Sequence, residues 1–272
     1  METTALEVTT LEASGVSEAM AVLEVTYGAA SVRGNRAPMA ADPAAWLIAR
    51  RNGAAAGVVT ANVYGRAAYV AMLAVDPLHR RAGVATRLME TLLARLRAGG
   101  TQSVLLDATA QAESLYARLG FVEIDRTLIF ARNAPAPHGD SAPGVDAATL
   151  RRVRALDARF YGCDRDAALR RFATGPYAFA VTGADGYALA HGPVLGPFAA
   201  ERTAVAERIL ARVLARRPHL ERAFAPAANR DAPALYAAHG FDCARTLAHM
   251  AYGAPSPFRR ERIFSQASLG HG

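Results

Sequence analysis

The chain has 272 residues, room for two domains of ordinary size, and its 52% hydrophobic and 20% charged content excludes a disordered or collagen-like chain. All 31 basic residues are Arg, so the absence of Lys excludes Schiff-base chemistry on a lysine. The net charge of +7 divides into +1 for residues 1–132 (13 Arg, 12 acids) and +6 for residues 133–272 (18 Arg, 12 acids). These arginines fall in ones and twos among helix formers without interleaved aromatics, the pattern of a solvated helical surface rather than of a nucleic-acid partner. Alanine supplies 63 residues, so large apolar side chains are fewer than the hydrophobic fraction suggests. Cys163 and Cys243 are too few for a disulfide framework and have no metal-ligand spacing. The acidic start METTALEVTT lacks a signal-peptide core, and no run reaches the ~18 apolar residues of a membrane span. A reduced, soluble, cytoplasmic protein with no membrane partner is expected.

Along the chain, Val16, Met20, Leu23 and Tyr27 give Leu11–Gly28 a helical period. Two apolar runs, Trp46–Arg51 and Ala56–Tyr64, flank Asn52-Gly53 and predict a hairpin. A third strand, Ala67–Val75, ends before Pro77. From Gly83 the stripe Val84, Leu88, Leu92, Leu96 predicts a helix that Gly99-Gly100 ends. A buried strand at Ser103–Leu106, a short helix at Ala112–Leu119 and strands within Phe121–Phe130 complete a mixed α/β domain. Residues 132–146 are rich in Pro, Gly and Ala and are expected to be a linker. Beyond it, helices are expected at 147–159 and 164–173, strands near 177–182 and 186–191, a helix at 201–216, a strand at 221–226 and a helix at 232–239.

The order repeats, and so do the residues. Segment 112–121 (AESLYARLGF) recurs as 232–241 (APALYAAHGF), identical at six of ten positions at an offset of 120. The halves therefore read as two copies of one domain.

Between the third strand and the amphipathic helix runs Val75-Asp-Pro77-Leu-His79-Arg80-Arg81-Ala82-Gly83-Val84-Ala85-Thr86. A helix N-terminus offers unpaired N–H groups and a positive dipole end, small residues at 83 and 85 let a ligand approach the backbone, and two arginines add fixed charge. A phosphate or pyrophosphate fits there, and so does an ordinary turn with surface arginines. The loop is neither a Walker loop nor a GxGxxG turn.

This segment resembles the acetyl-CoA pyrophosphate loop of the GNAT acetyltransferases, written Arg/Gln-x-x-Gly-x-Gly/Ala. Leu115-Tyr116-Ala-Arg-Leu-Gly120-Phe121 resembles their second hallmark, LYxxxGF. Through Tyr64-Gly65, Leu106-Asp107-Ala108-Thr109 and Phe160-Tyr-Gly162-Cys-Asp164-Arg165 the chain resembles two-domain bacterial GNAT proteins of the YitH type. The resemblance implies two tandem GNAT folds of the α/β (α+β) class, each a mixed, mostly antiparallel sheet flanked by helices. Residues 1–131 would form the catalytic, acetyl-CoA-binding domain and residues 147–272 a degenerate copy contributing to the substrate cleft. Acetyl-CoA is the implied cosubstrate, held by Leu73, Val75, Arg80, Arg81, Ala82, Gly83, Val84, Ala85 and Thr86, with no metal. Strands 67–75 and 103–106 would splay around pantetheine, and a backbone N–H near Met72 or Leu73 would polarise the thioester carbonyl. Tyr116 would protonate the departing thiolate, although an aromatic packed on the sheet would look the same.

The general base is left open. Asp107 reads equally as that base or as a turn carboxylate; Tyr69 is the polar group of the core strand, and Asp164 and Arg165 are candidates facing the cleft from the second half. The second copy lacks the loop and places Glu201 at its helix start, yet keeps Asn229 and Tyr236. An N-acetyltransferase acting on a primary amine of a small molecule is expected, the acceptor carrying an anionic group that the arginine-rich half could hold. The chain would work as a monomer or homodimer, and a non-catalytic CoA-binding sensor is the alternative.

Overall fold

The computed structural model describes residues 6–135, 144–174 and 177–272; most of the expected linker, residues 136–143, lies outside them. The first half opens with β1 (Leu6–Thr10), α1 (Val16–Tyr27) and the short helices α2 (Ala29–Val32) and α3 (Arg36–Ala41). The antiparallel strands β2 (Trp46–Arg51), β3 (Ala54–Tyr64) and β4 (Ala67–Val75) follow. Asn52 and Gly53 both take positive φ, 51° and 81°, the geometry a two-residue β2–β3 turn needs. Then come α4 (Val84–Ala98), β5 (Ser103–Ala108), α5 (Ala110–Arg118) and β6 (Val122–Ala131). The α4 stripe is buried on the sheet, and Gly57 permits the contact, since a Cβ there would lie 2.9 Å from the Ala74 carbonyl and from the Val84 and Leu88 side chains.

The second half repeats the plan with α6 (Ala147–Tyr161), α7 (Asp166–Ala173), β7 (Phe179–Thr182), β8 (Gly186–His191), β9 (Val194–Ala200), α8 (Thr203–Arg216), β10 (Arg222–Pro226) and α9 (Ala232–Ala237). Neither β1 nor β9 is foreseen from the sequence, nor are the two strands that follow, β11 (Asp242–Gly253) and β12 (Ile263–Ser265). No helix among the described residues is long and apolar enough to cross a membrane.

The strands form one continuous sheet in the order β1-β2-β3-β4-β5-β11-β6-β10-β9-β8-β7, with β12 on β9. At its centre the halves exchange strands: β11 of the second half lies between β5 and β6 of the first, and β6 pairs on its other edge with β10. All three central ladders thus join different halves. Side-chain alternation sorts the faces. Ala68, Val70, Val104, Leu106, Ala108, Ala248 and Met250 pack with α4 and α5, while Tyr69, Leu105 and Ala251 pack with α6 and α7 on the other face.

Residues 254–272 cross that second face. His191 stacks on Phe172 at 4.4 Å, His271 meets the same ring edge-on at 4.9 Å, and His191 Nε2 donates to the Ala267 carbonyl at 3.0 Å. Burial lowers both imidazoles from 6.5, His191 to about 4 and His271 to about 3. The unfolded chain therefore takes up protons below pH 6.5 that the fold refuses, and stability falls as pH drops from 6.5 through 4, by ~1.4 kcal/mol per pH unit per group. Denaturant midpoints measured from pH 7 to pH 4 should decline steadily, and His191→Phe, which keeps a ring on Phe172, should flatten the decline.

The exchange also makes the halves interdependent. A chain ending at residue 131 leaves β5 and β6 without the strand between them, so as a monomer it should show no cooperative thermal transition by circular dichroism. A cooperative monomeric fragment would contradict the exchange.

Candidate active site

β4 and β5 run parallel and pair over three residues only, Ala67 with Ser103, Ala68 with Val104 and Tyr69 with Leu105. Beyond that vertex the strands part. Within the parted stretch Met72 takes φ 54°, and β3 pairs with Ala71 and then Ala74, leaving Met72 and Leu73 outside the ladder. Such a bulge frees backbone groups for another partner. The Leu73 carbonyl already accepts a hydrogen bond from the Tyr27 hydroxyl of α1.

At the open end, the eight residues 76–83 join β4 to α4. The Asp76 side chain accepts from Leu78 N at 2.8 Å and pins the turn. Arg81 and Gly83 both take left-handed backbone, φ 60° and 77°, and α4 begins at Gly83 without a side-chain cap. Its first-turn N–H groups therefore lack the usual oxygen partner. A Cβ on Gly83 would meet nothing within 4 Å, so glycine is required by conformation, and the space beside it is open. Arg80, Arg81, Ala82, Ala85 and Thr86 gather around this helix start, while Val84 turns its side chain into the core at 1% exposure.

The corresponding slot of the second half is closed. β9 and β10 pair at Arg222–Val194 and Ala223–Leu195 and then part, but β12 fills the gap. The Phe224 amide donates to Ser265 Oγ at 2.8 Å, Gln266 N donates to the Phe224 carbonyl at 2.8 Å, and Ser265 Oγ donates to the Leu195 carbonyl at 2.7 Å. Asn229 Nδ2 holds the Ile263 carbonyl and the Tyr236 hydroxyl the Phe264 carbonyl, each at 3.0 Å. Only two residues, 201 and 202, separate β9 from α8, and Glu201 is gripped by both terminal nitrogens of Arg259 at 2.8 Å. A pyrophosphate loop has no room there.

Tyr116, on α5, is buried against Phe121, with ring centroids 5.7 Å apart. Burial raises its phenol well above the ordinary value of 10, so it stays protonated and remains a donor at neutral pH. Its counterpart Tyr236 is likewise buried and spends its hydroxyl on β12.

Asp107 stands differently from the expectation of a general base. Its side chain is wholly buried and both oxygens are saturated: Oδ1 accepts from Thr127 at 2.6 Å and faces His249 Nδ1 at 3.0 Å, while Oδ2 accepts from Tyr69 at 2.6 Å and Gln266 at 2.9 Å. Burial opposes the charge, but His249, Arg260 and Thr127 outweigh it and hold the carboxyl below its ordinary value. An ionised oxygen pair with every lone pair engaged is a hub, not a proton acceptor. Tyr69 belongs to this hub, and burial together with the Asp107 charge keeps its phenol protonated.

The two candidates from the second half are corrected as well. Arg165 is fully buried, paired with Asp157 at 3.2 Å, laid over the Tyr161 ring at 3.4 Å, and bonded to the His271 and Gly272 carbonyls at 3.0 Å. It is a core ion pair whose side chain is wholly buried and so does not face a cleft. Asp164 accepts from Asp166 N at 2.8 Å ahead of α7, the task of a turn carboxylate. Sequence reasoning missed His249, Gln266, Arg260 and Thr127, which reach the hub through the exchanged strands and the C-terminal segment. Among the described residues, no group of three or more His, Cys, Asp or Glu is placed to hold a metal ion.

The site is thus a mixed sheet parted between two parallel strands, with an uncapped helix start at the open end. Both halves match family models described as acetyltransferase (GNAT) domains, one over residues 15–132 and the other over 153–265, and the chain belongs to the GNAT acetyltransferases. Among solved structures it is similar to a Pyrococcus horikoshii protein provisionally assigned as an acetyltransferase, with a TM-score of 0.82 and 19% identity over 100% of this chain and 98% of that one. It is also similar to GCN5-related N-acetyltransferases of Kribbella flavida (TM-score 0.67, 16% identity, 92% and 71% covered) and Anabaena variabilis (0.62, 13%, 91% and 72%). Among curated protein sequences none matches.

Removing the hub carboxylate strands four buried donors. Asp107→Ala should lower unfolding free energy by at least ~3 kcal/mol in a denaturant titration, and a loss below ~1 kcal/mol would refute the hub.

Proposed function

We propose that the first half binds acetyl-CoA and transfers its acetyl group to a primary amine of a small molecule by direct attack in a ternary complex. The observation that carries this reading is the contrast between two like slots, one parted and uncapped, the other filled by β12 and Glu201–Arg259. In the open slot the pyrophosphate would accept from the α4 N-terminus across Ala82, Gly83 and Ala85, flanked by Arg80, Arg81 and Thr86. Pantetheine would lie against Leu73 and Val75 as an added strand, its amides meeting backbone that β3 and β5 leave unpaired.

The chemistry follows from the bulge. An N–H at Met72 or Leu73 would stabilise the oxyanion formed when the amine attacks the thioester carbonyl. Collapse breaks the C–S bond, and Tyr116 would hand its proton to the thiolate; its raised pKa keeps the proton available but reduces the driving force, so the hydroxyl acts as much by hydrogen bonding as by full transfer. The second half would serve as the closed partner that completes the sheet beside the slot. Its buried arginines, Arg165 and Arg260, are already engaged by Asp157 and Asp125, and so lend no support to an anionic acceptor.

Acetyl-CoA incubated with a panel of small amines should release free thiol in an amine-dependent way. Gly83→Glu, which puts a carboxylate and a left-handed strain where phosphate would bind, should weaken acetyl-CoA binding at least ~100-fold, whereas Tyr116→Phe should lower kcat ~10-fold or more with Kd for acetyl-CoA unchanged. Acetyl-CoA bound without thiol release from any amine would contradict the enzyme reading and favour a sensor.

A further inference from the structure

The amine in this reaction arrives as an ammonium and must lose a proton before it attacks, and the saturated Asp107 has no lone pair left to take it. Its neighbour does. His249 lies on β11 directly across from Asp107 of β5, its side chain wholly buried, and Nε2 has no hydrogen-bond partner among the described residues. Because Nδ1 faces an ionised carboxylate at 3.0 Å, Nδ1 carries the ring proton, which leaves a free lone pair on Nε2. A buried acceptor left unmet is destabilising, and a donor from outside the chain relieves it.

The position suits the task. Phosphates at residues 80–83 would direct the acyl end of pantetheine back along β4 toward the Tyr69–Leu105 vertex, a run of about 17 Å from Val75 to Val70 at about 3.3 Å per residue. Asp107 is the second residue of β5 beyond that vertex and Met72 the third of β4. Asp107 and His249 share the face opposite α4 and α5, so the imidazole stands on the side away from the pyrophosphate helix.

We propose that His249 Nε2 is the general base that takes the proton from the acceptor ammonium through water, with Asp107 as the positioning residue that fixes its tautomer. This assignment rests on the acetyltransferase reading above. The ammonium N–H bond breaks and, through water, a proton joins the Nε2 lone pair; the freed nitrogen pair forms the N–C bond as the carbonyl π pair moves to oxygen. Re-formation of the carbonyl expels the thiolate, which takes the Tyr116 proton; the amide nitrogen sheds its second proton to solvent, the imidazolium releases its own to solvent, and Tyr116 regains one from solvent. Four groups set the charge of the ring: Asp107 from β5, Asp125 from β6, Tyr69 from β4 and Arg260 from the C-terminal segment. Burial and the Arg260 cation favour the neutral imidazole over the pull of the two carboxylates.

The test uses the full chain, acetyl-CoA and the amine of the panel that gives the fastest thiol release. The wild type should show kcat/KM rising to a plateau above the imidazole pKa, whereas His249→Gln, which keeps a donor for Asp107, should fall at least ~100-fold at pH 7. The variant should then climb with unit slope to the pKa of the amine itself, with Kd for acetyl-CoA within twofold of the wild type. A folded variant with the wild-type profile overturns the assignment. Nitrogen NMR of histidine-labelled wild type decides independently of folding of the variant: it should show the Nδ1–H tautomer titrating at the pH of the acid limb, and an Nε2–H tautomer or a mismatched titration overturns it. A wild type that binds acetyl-CoA but releases no thiol with any amine overturns the acetyltransferase reading, and this assignment with it.

Discussion

The central constraint is the exchange of β6 and β11. A strand inserted between two strands of the other half satisfies both of its edges with long-range ladders, and the sheet becomes one cooperative object instead of two joined modules. Two consequences follow from that topology. The histidine at position 249 is carried across the seam to a carboxylate 142 residues away, and the chain that leaves β11 packs on the sheet face that carries α6 and α7. The C-terminal segment can then serve both halves, closing the second slot with β12 and supplying Gln266 and Arg260 to the hub of the first.

The two slots show how one fold takes opposite roles with few changes. In the first half an eight-residue loop with two left-handed positions leaves α4 uncapped and the bulge at Met72 unpaired. In the second a two-residue connection, an acidic residue in the grip of Arg259 and a three-residue strand occupy the same elements. Asn229 and Tyr236 survive there because they found peptide carbonyls to hold. A tyrosine in the LYxxxGF position thus has a structural use of its own, and its presence is no proof of catalysis in either copy.

Much of this was legible in the sequence because it rests on local rules. Asn52-Gly53, the α4 stripe, Pro77 and Gly83 each act over a few residues, and the repeat at an offset of 120 exposed the duplication. What stayed hidden depends on distance along the chain. β11 reads DCARTLAHMAYG, with a polar start that is exposed and an apolar end that is buried in the other half, so no single periodicity marks it. β12 has three residues, too few to show a pattern. His249 has no acidic neighbour in sequence, and Arg165 looked like a free cation because Asp157, half a helix away, gives no sign that the pair is buried. The hub could have been suspected only from the coincidence of an isolated histidine with the half that lacks the loop.

The account stands on one slot being open and its twin being filled by the chain itself. Titration calorimetry of the full-length protein with acetyl-CoA measures this most directly, through the number of sites per chain. One site is the expected result, lost in Gly83→Glu. Two sites would mean that β12 yields to the cofactor and the second slot is not closed; none would mean that the first is not open.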